Sequence, residues 1–340
     1  MSTGPSSRKP DAVLIGVLKA AGLIESLGET AFEPLTGGVS SDIWKVETGN
    51  RTFCVKRALK QLKVEALWLA PVDRNRFEVA WYRTANALVP GSTPRVLLHD
   101  NKANLFAMEY LQPAEHALWK SELLEGRVQP AIAAEVGRRL AAIHSGTAGS
   151  AEVAAQFPRS DIFQAIRLEP YLEATAERHQ DIAPQLYELS SRTAGTRLAM
   201  IHGDVSPKNI LIGPNGPVFL DAECATIGDP AFDLAFCLNH FLLKCLSNAN
   251  AQPAYAASFQ AMASVYLDGV DWEDADGLEK RAASLLPGLF LARIDGKSPV
   301  EYVTQEEDKR NVRRCARGLI KAQPSRLEDV IAAWQRELSS

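Results

Sequence analysis

The segment Met200–Cys224, which reads MIHGDVSPKNILIGPNGPVFLDAEC, carries the most informative pattern of the chain. Its apolar runs predict two short strands, one from LAMIHG through NILIG and one at PVFLD. Between and beside these runs stand five polar residues with functional potential: His202, Asp204, Asn209, Asp221 and Glu223. Polar groups beside buried strands cost free energy unless they are paired or used. The segment therefore predicts a functional loop followed by a β-turn-β unit.

The spacing of these residues suits phosphoryl transfer. His202, Asp204 and Asn209 form H-x-D-x-x-x-x-N, and Asp221 ends a strand twelve residues after Asn209. In phosphoryl transfer one carboxylate orients the attacking hydroxyl and accepts its proton, while an Asn oxygen and a second carboxylate hold magnesium against the nucleotide phosphates. We therefore expect Asp204 in the first role and Asn209 and Asp221 in the second.

Three blocks of the sequence resemble the small-molecule kinases of the aminoglycoside phosphotransferase and choline kinase group. They are HGDVSPKNIL at residues 202–211, FLDAE at 219–223 and GDPAFDLA at 228–235, in the order and spacing of that group. The resemblance implies an α+β, bilobal protein-kinase-like fold with a β-rich N-lobe and a mainly helical C-lobe. It also implies ATP and Mg²⁺ as cofactors and a small-molecule hydroxyl as the acceptor.

The remaining polar residues of these blocks leave alternatives open. His202 is expected to brace the loop by packing and hydrogen bonding more than to contact substrate. Lys208 either screens the transferred phosphate or is simply solvated. Glu223 contacts the metal directly, acts through water, or pairs with a basic side chain. Asp229 and Asp233 are interpreted as helix-start caps.

The nucleotide clamp is expected in the first hundred residues. The turn in LTGGVSSDIWKV, at residues 35–46, resembles the phosphate loop of the group and offers four candidates: Gly37, Gly38, Ser40 and Ser41. Lys56, in FCVKRAL, matches the phosphate-binding lysine of the group. Glu78, on a periodic helix predicted over residues 74–88, is expected to pair with it, and Glu65 is the competing partner.

The end of the N-lobe is placed at the strand FAMEYL, residues 106–111, where the group has its hinge. Met108 is expected to act as the gatekeeper, and backbone groups from Glu109 to Leu111 are expected to bond the adenine edge. We divide the chain into a tail at residues 1–10, a nucleotide-binding N-lobe at 11–111 and a catalytic C-lobe at 112–340.

Composition excludes several functional classes. The chain of 340 residues has a net charge of -4 and 46% hydrophobic residues, which is unlike a basic nucleic-acid-binding domain. Its five scattered cysteines fit reduced thiols, and no apolar run approaches the roughly 18 residues of a membrane span. The sequence therefore favours a cytoplasmic protein, monomeric or homodimeric.

The acceptor site is the least determined part of the sequence. Residues 268–279 hold six acids, which would suit a cationic acceptor, whereas the basic residues between 309 and 321 would suit an anionic one. For both clusters a solvated helix face is favoured. A predicted helix break at Asp295-Gly296 suggests acceptor contacts by Arg293 and Asp295. A nucleotide-binding pseudokinase and a protein kinase are rival interpretations, but no core polar residue is lost and the D-F-G and A-P-E signals are absent.

Overall fold

The computed structural model describes residues 9–35, 41–49, 51–59 and 74–339. The phosphate-loop candidates Gly37, Gly38 and Ser40 lie outside these ranges, as does Glu65, the competing partner of Lys56. Among the described residues, no helix combines the length and apolar character that crossing a membrane requires.

A five-stranded antiparallel sheet forms the N-terminal part, in the order β1-β2-β3-β5-β4. Its strands are β1 Thr30–Leu35, β2 Ser41–Thr48, β3 Arg51–Ala58, β4 Val96–Asp100 and β5 Leu105–Glu109. The β-rich N-lobe that the resemblance implies is therefore confirmed, and β5 overlaps the strand predicted at residues 106–111. One face of the sheet buries β-branched and aromatic residues against the first helix, α1 (Ala12–Ala20), whose Leu14 and Leu18 are fully buried. Such residues favour a half-buried pleated surface.

Helix α2 (Arg74–Leu88) has the predicted bounds. It buries Phe77, Trp81 and Ala85 on one face, at the helical spacing that the sequence showed. Glu78 stands beside this apolar stripe and is itself fully buried. The packing of the helix thus carries one carboxylate beneath the sheet.

Helices dominate the remainder of the chain. They are α3 Trp119–Leu124, α4 Pro130–Thr147, α5 Ala151–Gln156, α6 Asp161–Phe163, α7 Ala174–Arg178, α8 Ala183–Gly195, α9 Pro230–Lys244, α10 Gln252–Asp268, α11 Ala275–Asp295, α12 Glu306–Ala322 and α13 Leu327–Leu338. A π-helical segment, Gln164–Glu173, joins α6 to α7. Every residue of α9 is buried, as expected of a helix at the centre of a bundle.

The segment Met200–Cys224 contributes three strands instead of the two predicted. β7 (Ala199–Ile201) pairs with β10 (Thr226–Gly228), whereas β8 (Ile210–Gly213) and β9 (Gly216–Phe219) form a hairpin extended by β6 (Ala117–Leu118). The separate pairing of β7 is the reason for the difference, since it detaches that strand from the hairpin. The loop between β7 and β8 is thereby anchored at both ends.

Candidate functional site

The backbone after β7 is held by a carboxylate from the next long helix. Asp233, in the first turn of α9, accepts hydrogen bonds from the backbone N–H of His202 at 2.6 Å and of Gly203 at 2.8 Å. The interpretation of Asp233 as a helix cap is therefore wrong, because its oxygens point to the loop. Asp229 does cap α9: its Oδ1 accepts from the N–H of Ala231 at 3.0 Å.

Gly203 has a positive φ of 76°, and a Cβ there would lie 2.8 Å from the Cβ of Cys224. Both features require glycine. The turn brings the following aspartate out of the strand and into the space between the hairpin and the π-helical segment.

His202 is fully buried and braces the loop, as its expected structural role requires. Its Nδ1 accepts from the backbone N–H of Asp204 at 3.1 Å, so the ring proton lies on Nε2, which donates to the Leu220 carbonyl at 3.0 Å. Its ring meets that of Trp81 edge-on at 4.7 Å. Burial lowers the pKa of His202 below its usual 6.5, so the imidazole is neutral near pH 7.

Asp204 is buried but ionised. Burial alone would raise the pKa of its carboxyl, yet Arg167 at 2.6 Å and Lys208 at 3.2 Å lower it below 3.8. Oδ2 also accepts from the side-chain amide of Asn209 at 2.8 Å. Oδ1, in contrast, has no hydrogen-bond partner among the residues that the structure describes. Oδ1 is buried as well, and it is the carboxylate oxygen of Asp204 whose hydrogen-bonding capacity is unused within the described residues.

Sequence reasoning missed Arg167. It belongs to the π-helical segment, donates from Nε to the Gly203 carbonyl at 2.7 Å and places its guanidinium against Asp204. No motif marks this arginine, because its partner lies 37 positions later and only the tertiary fold brings them together. Lys208, also beside Asp204, has a side chain that is 52% exposed, so both of its expected roles stay open.

Three carboxylates surround the ammonium of Lys56. Nζ lies 2.8 Å from Glu78, 2.5 Å from Asp221 and 3.0 Å from Glu223. The predicted Lys56–Glu78 pair is thus confirmed as a contact. Burial opposes the charge of Lys56, but the carboxylates of Asp221, Glu223 and Glu78 together raise its pKa well above 10.5. Burial conversely raises the pKa of Glu78 to about 7.

Tyr82 connects α2 to the hairpin and was also missed. Its hydroxyl donates to Glu78 at 3.0 Å and accepts from the backbone N–H of Asp221 at 2.8 Å. The i, i+4 spacing of Glu78 and Tyr82 on α2 was a usable signal. Asp221 itself has a φ of 64°, a left-handed conformation that aspartate tolerates better than most residues.

Of the three alternatives for Glu223, which are direct metal contact, metal contact through water and pairing with a basic side chain, the structure shows the pairing. Besides Lys56, it meets the Nε of Arg74 at 2.9 Å. It also accepts from the hydroxyl of Ser41 at 2.6 Å. Ser41 is the one phosphate-loop candidate that the structure describes, and its hydroxyl is engaged by this carboxylate.

Three carboxylates offer hard oxygen ligands to a metal ion. One oxygen each from Glu78, Asp221 and Glu223 lies within 4.8 Å of the others. Carboxylate oxygens are the donors that Mg²⁺ prefers. Asp221 is the most accessible of the three, with 35% of its side chain exposed. Asn209 is 6% exposed and bonds Asp204 through its amide nitrogen.

The hinge candidates lie at the end of the sheet. Met108 is buried in β5 opposite Cys54 of β3, and the Glu109 N–H donates to the Arg95 carbonyl at 2.9 Å. Leu111 follows β5 and is half-buried. Their role toward adenine stays a prediction.

The predicted helix end at Asp295 is confirmed. Asp295 is held by Arg313 at 2.7 Å and by His179 at 2.8 Å, which leaves it tied to α12 and α7. Arg293 donates to the Tyr171 hydroxyl at 3.0 Å, and it lines a cleft that also includes Lys208. The structure thus separates these two acceptor candidates, since only Arg293 faces the catalytic loop.

The charge clusters flagged in the sequence are largely neutralised by pairing. On α12, Arg313, Arg314, Arg317 and Lys321 all form ion pairs. In the acidic stretch, Glu273 pairs with Arg281 at 2.8 Å and Glu279 with Arg326 at 2.6 Å. Neither cluster lines the cleft beside Lys208.

Comparison with known proteins agrees with this geometry. The chain is 27% identical over 244 residues to a methylthioribose kinase of Pectobacterium carotovorum, which covers 63% of this chain and 60% of that protein. It is 28% identical over 255 residues to a methylthioribose kinase of Escherichia coli, covering 65% of this chain and 58% of that protein. The chain thus spans about 60% of the length of these relatives.

Solved structures confirm the predicted bilobal kinase-like fold. A choline/ethanolamine kinase family protein from Mesorhizobium loti superposes with a TM-score of 0.53 at 16% identity, over 94% of this chain and 98% of that one. An amicoumacin kinase superposes with a TM-score of 0.53 at 13% identity, over 92% and 95%. The sequence profile of the Phosphotransferase enzyme family matches residues 31–270. With fold, site geometry and this match in agreement, the chain belongs to the phosphotransferase enzyme family.

Proposed function

We propose that the protein transfers the γ-phosphoryl group of ATP, with Mg²⁺, to a hydroxyl of a small molecule. One observation carries the proposal: Asp204 is held ionised in a buried site with one oxygen free of partners, close to the carboxylate cluster around Lys56. A phosphotransferase needs this combination, since the attacking hydroxyl and the nucleotide phosphates must meet. The relatives named methylthioribose kinase also support a small-molecule acceptor.

In this proposal the nucleotide lies between the sheet and the catalytic hairpin. Lys56, steadied by Glu78, contacts the phosphates. Gly37, Gly38, Ser40 and Ser41 belong to the phosphate loop, while Met108, Glu109 and Leu111 form the adenine hinge. These assignments rest on position in the chain and, for Lys56, on its ion pair with α2.

Asn209 and Asp221 are the residues assigned to hold Mg²⁺, with Glu223 as a neighbour that also positions Lys56. The bound ion would neutralise phosphate charge. The fit rests on the hard oxygen donors that Asp221 and Glu223 form together with Glu78, whereas the assignment of Asn209 rests on its place in the sequence motif. Removing the ammonium of Lys56 would take away the cation that Glu78 and Asp221 contact, while Glu223 would keep its ion pair with Arg74.

Asp204 supplies the acceptor side of the chemistry. Its lowered pKa keeps it ionised near pH 7, so Oδ1 accepts a hydrogen bond from the acceptor hydroxyl and aligns it. The acceptor oxygen forms a bond to the γ-phosphorus, the bond to the bridging oxygen breaks, and ADP leaves. The hydroxyl proton passes to Asp204, and Lys208 is placed to screen the transferred group.

We place this activity in the cytoplasm of the cell. All five cysteines are free and buried, which fits a reducing compartment. The acidic balance of the chain disfavours nucleic acid as a partner. We expect a monomer or a homodimer acting on small molecules alone.

A nucleotide-consumption screen tests the proposal. Purified protein is supplied with ATP and Mg²⁺ and a panel of sugars, amino alcohols, hydroxy acids and aminoglycosides. Acceptor-dependent ADP release that is lost in Asp204→Asn would support it. Tight Mg-nucleotide binding without turnover against the whole panel would favour the pseudokinase instead.

A further inference from the structure

A cleft beside the catalytic loop is unusually rich in cationic side chains. Lys120 of α3, Lys208 of the loop, His240 and Lys244 of α9 and Arg293 of α11 line it, and Glu301 stands at its edge. We call this the basic cleft. Its lining offers four formal positive charges and one negative charge, in a chain whose net charge is -4.

Lys244 is the least compensated of these cations. It is 1% exposed, and no carboxylate pairs with it among the residues that the structure describes. Its ammonium contacts the ring of Tyr302, at 4.6 Å from the centroid, and the Tyr302 hydroxyl at 3.5 Å. Burial first, and then the charge of Lys120, lower the pKa of Lys244 to about 7. A buried cation without a counter-ion is costly, which indicates a function that outweighs the cost.

Two more polar groups of the cleft lack partners. The Nε2 of His240 and the Nε of Arg293 are buried and form no hydrogen bond within the described part of the chain. Both side chains are more than nine-tenths buried. His240 and Lys244 are four residues apart on α9 and so share one face of that helix. Buried polar groups without partners call for an explanation in a folded protein, and a bound ligand, ion or water supplies one.

The basic cleft adjoins the proposed transfer site. Lys208 belongs to its lining and also lies 3.2 Å from Asp204. Lys56, which we assign to the nucleotide phosphates, is not part of it. The cleft therefore meets the transfer site at Lys208. It holds about 30 Å³ in this structure, so an acceptor that reaches from Asp204 to Lys244 must widen it.

We propose that the acceptor is an alcohol that carries an anionic group, a carboxylate or a phosphate, and that Lys244 and Arg293 bind this group in the basic cleft. The inference rests on the proposed phosphotransferase function and specifies its substrate class. The same charges disfavour a cationic acceptor, because it would meet uncompensated like charge. Lys120 contributes to the cleft from its rim, where it forms an exposed ion pair with Glu301.

The test uses matched acceptors on one three-carbon scaffold together with larger members of each class. The carboxylate arm consists of glycerate and sugar acids, and the phosphate arm consists of glycerol phosphate and sugar phosphates. The neutral arm consists of glycerol and free sugars. The cationic arm consists of aminopropanediol and aminoglycosides. We expect turnover in an anionic arm, and the arm that reacts identifies the anion. In Lys244→Met, and in Lys244→Gln as a second variant, KM for that acceptor should rise about 10- to 100-fold, the loss typical of one contact to a charged group.

Lys280→Met is the matched control, since Lys280 is exposed on α11 and lies outside the basic cleft. It should keep the wild-type KM, and all three variants should keep the wild-type KM for ATP. Turnover confined to cationic or neutral acceptors, or an unchanged acceptor KM in both Lys244 variants, would overturn the inference and leave the phosphotransferase intact. Absence of turnover in every arm would instead refute the proposed function, and the inference with it.

Discussion

Replacing Lys244 by Met should stabilise the folded protein while it impairs acceptor binding. Burial and the neighbouring Lys120 lower the pKa of Lys244 from 10.5 to about 7. At about 1.4 kcal/mol per pKa unit, keeping this group buried destabilises the fold by up to about 5 kcal/mol. The cation–π contact with the Tyr302 ring stabilises the buried ammonium by about 1–2 kcal/mol. We therefore expect a net gain of about 3 kcal/mol in the free energy of unfolding of the variant at about pH 6.

The pH dependence of this gain has a definite sign. In the unfolded chain Lys244 binds its proton as the pH falls below 10.5, whereas in the folded protein it does so only below about 7. Between these values the unfolded state holds more protons, so the wild type loses stability as the pH falls and loses no more below about 7. The variant lacks this loss. Its advantage should be largest below about pH 7 and should fall to about 1.4 kcal/mol at about pH 9.5, one pH unit below the ordinary pKa of lysine.

The neighbours of Lys244 do not obscure this window. Burial lowers the pKa of His240 well below 6.5, and burial raises the pKa of the Tyr302 hydroxyl above its usual range. Burial raises the pKa of Glu301, but the hydrogen bond with Lys120 lowers it by more, so that this pKa lies below its usual 4.5. None of these three groups changes charge between about pH 6.5 and about pH 9.5.

Urea denaturation of wild type, Lys244→Met and the exposed control Lys280→Met at about pH 6.5, 8 and 9.5 provides the measurement. The control should stay within about 0.5 kcal/mol of wild type at each pH. A Lys244→Met protein that is less stable than wild type, or whose advantage grows with pH, would refute the reasoning. Either result would mean that the lysine is compensated in the folded state.

Other substitutions separate the remaining roles. Asp204→Asn should lower turnover about 100- to 10,000-fold with little change in Mg-nucleotide affinity, whereas Asp221→Ala should weaken both turnover and Mg-nucleotide affinity. Calorimetry with ATP, with and without Mg²⁺, distinguishes the two variants. Equal loss of nucleotide binding in both variants would contradict the assignment. Lys56→Ala should reduce stability by about 3–5 kcal/mol, because it leaves the buried carboxylate of Glu78 without its cation, and Mg²⁺ should restore part of the loss in thermal denaturation. Arg167→Met should raise the pKa of Asp204. As the pH is lowered, kcat/KM of the variant should therefore begin to fall at a higher pH than kcat/KM of the wild type. If the two pH–rate profiles fall at the same acidic pH, Arg167 does not have this role.

Local patterns predicted the elements that local interactions build. The bounds of α2 follow from periodicity, whereas the Lys56–Glu78 pair and the β-rich N-lobe follow from the resemblance to the kinase group. The catalytic loop was found because Gly203, His202 and Asp204 are neighbours in sequence as well as in space. In each case the residues that must cooperate lie within one or two consecutive elements.

Interactions between distant elements were not predictable in the same way. Arg167 reaches Asp204 from a π-helical segment, which no periodicity of the sequence indicated. Asp233 looked like a helix cap, because the sequence places it in a first turn but cannot show which backbone amides face it. Lys56 is 3% exposed and is surrounded by three carboxylates, of which the sequence indicated Glu78. Its importance for stability follows from three partners far apart in the chain.

The contrast between the two buried lysines indicates how the site divides its charges. Lys56 is paired with carboxylates of the protein itself, so its charge is retained whether or not a nucleotide is bound. Within the described part of the chain Lys244 forms no ion pair, although the charge of Glu301 favours its protonation, and near pH 7 it is divided between its two protonation states. An anion that binds there supplies the missing partner, raises the pKa of the amine and draws in a proton. Acceptor binding and protonation of Lys244 should therefore favour each other, and the cost of keeping this lysine buried is offset only when an anionic acceptor fills the cleft.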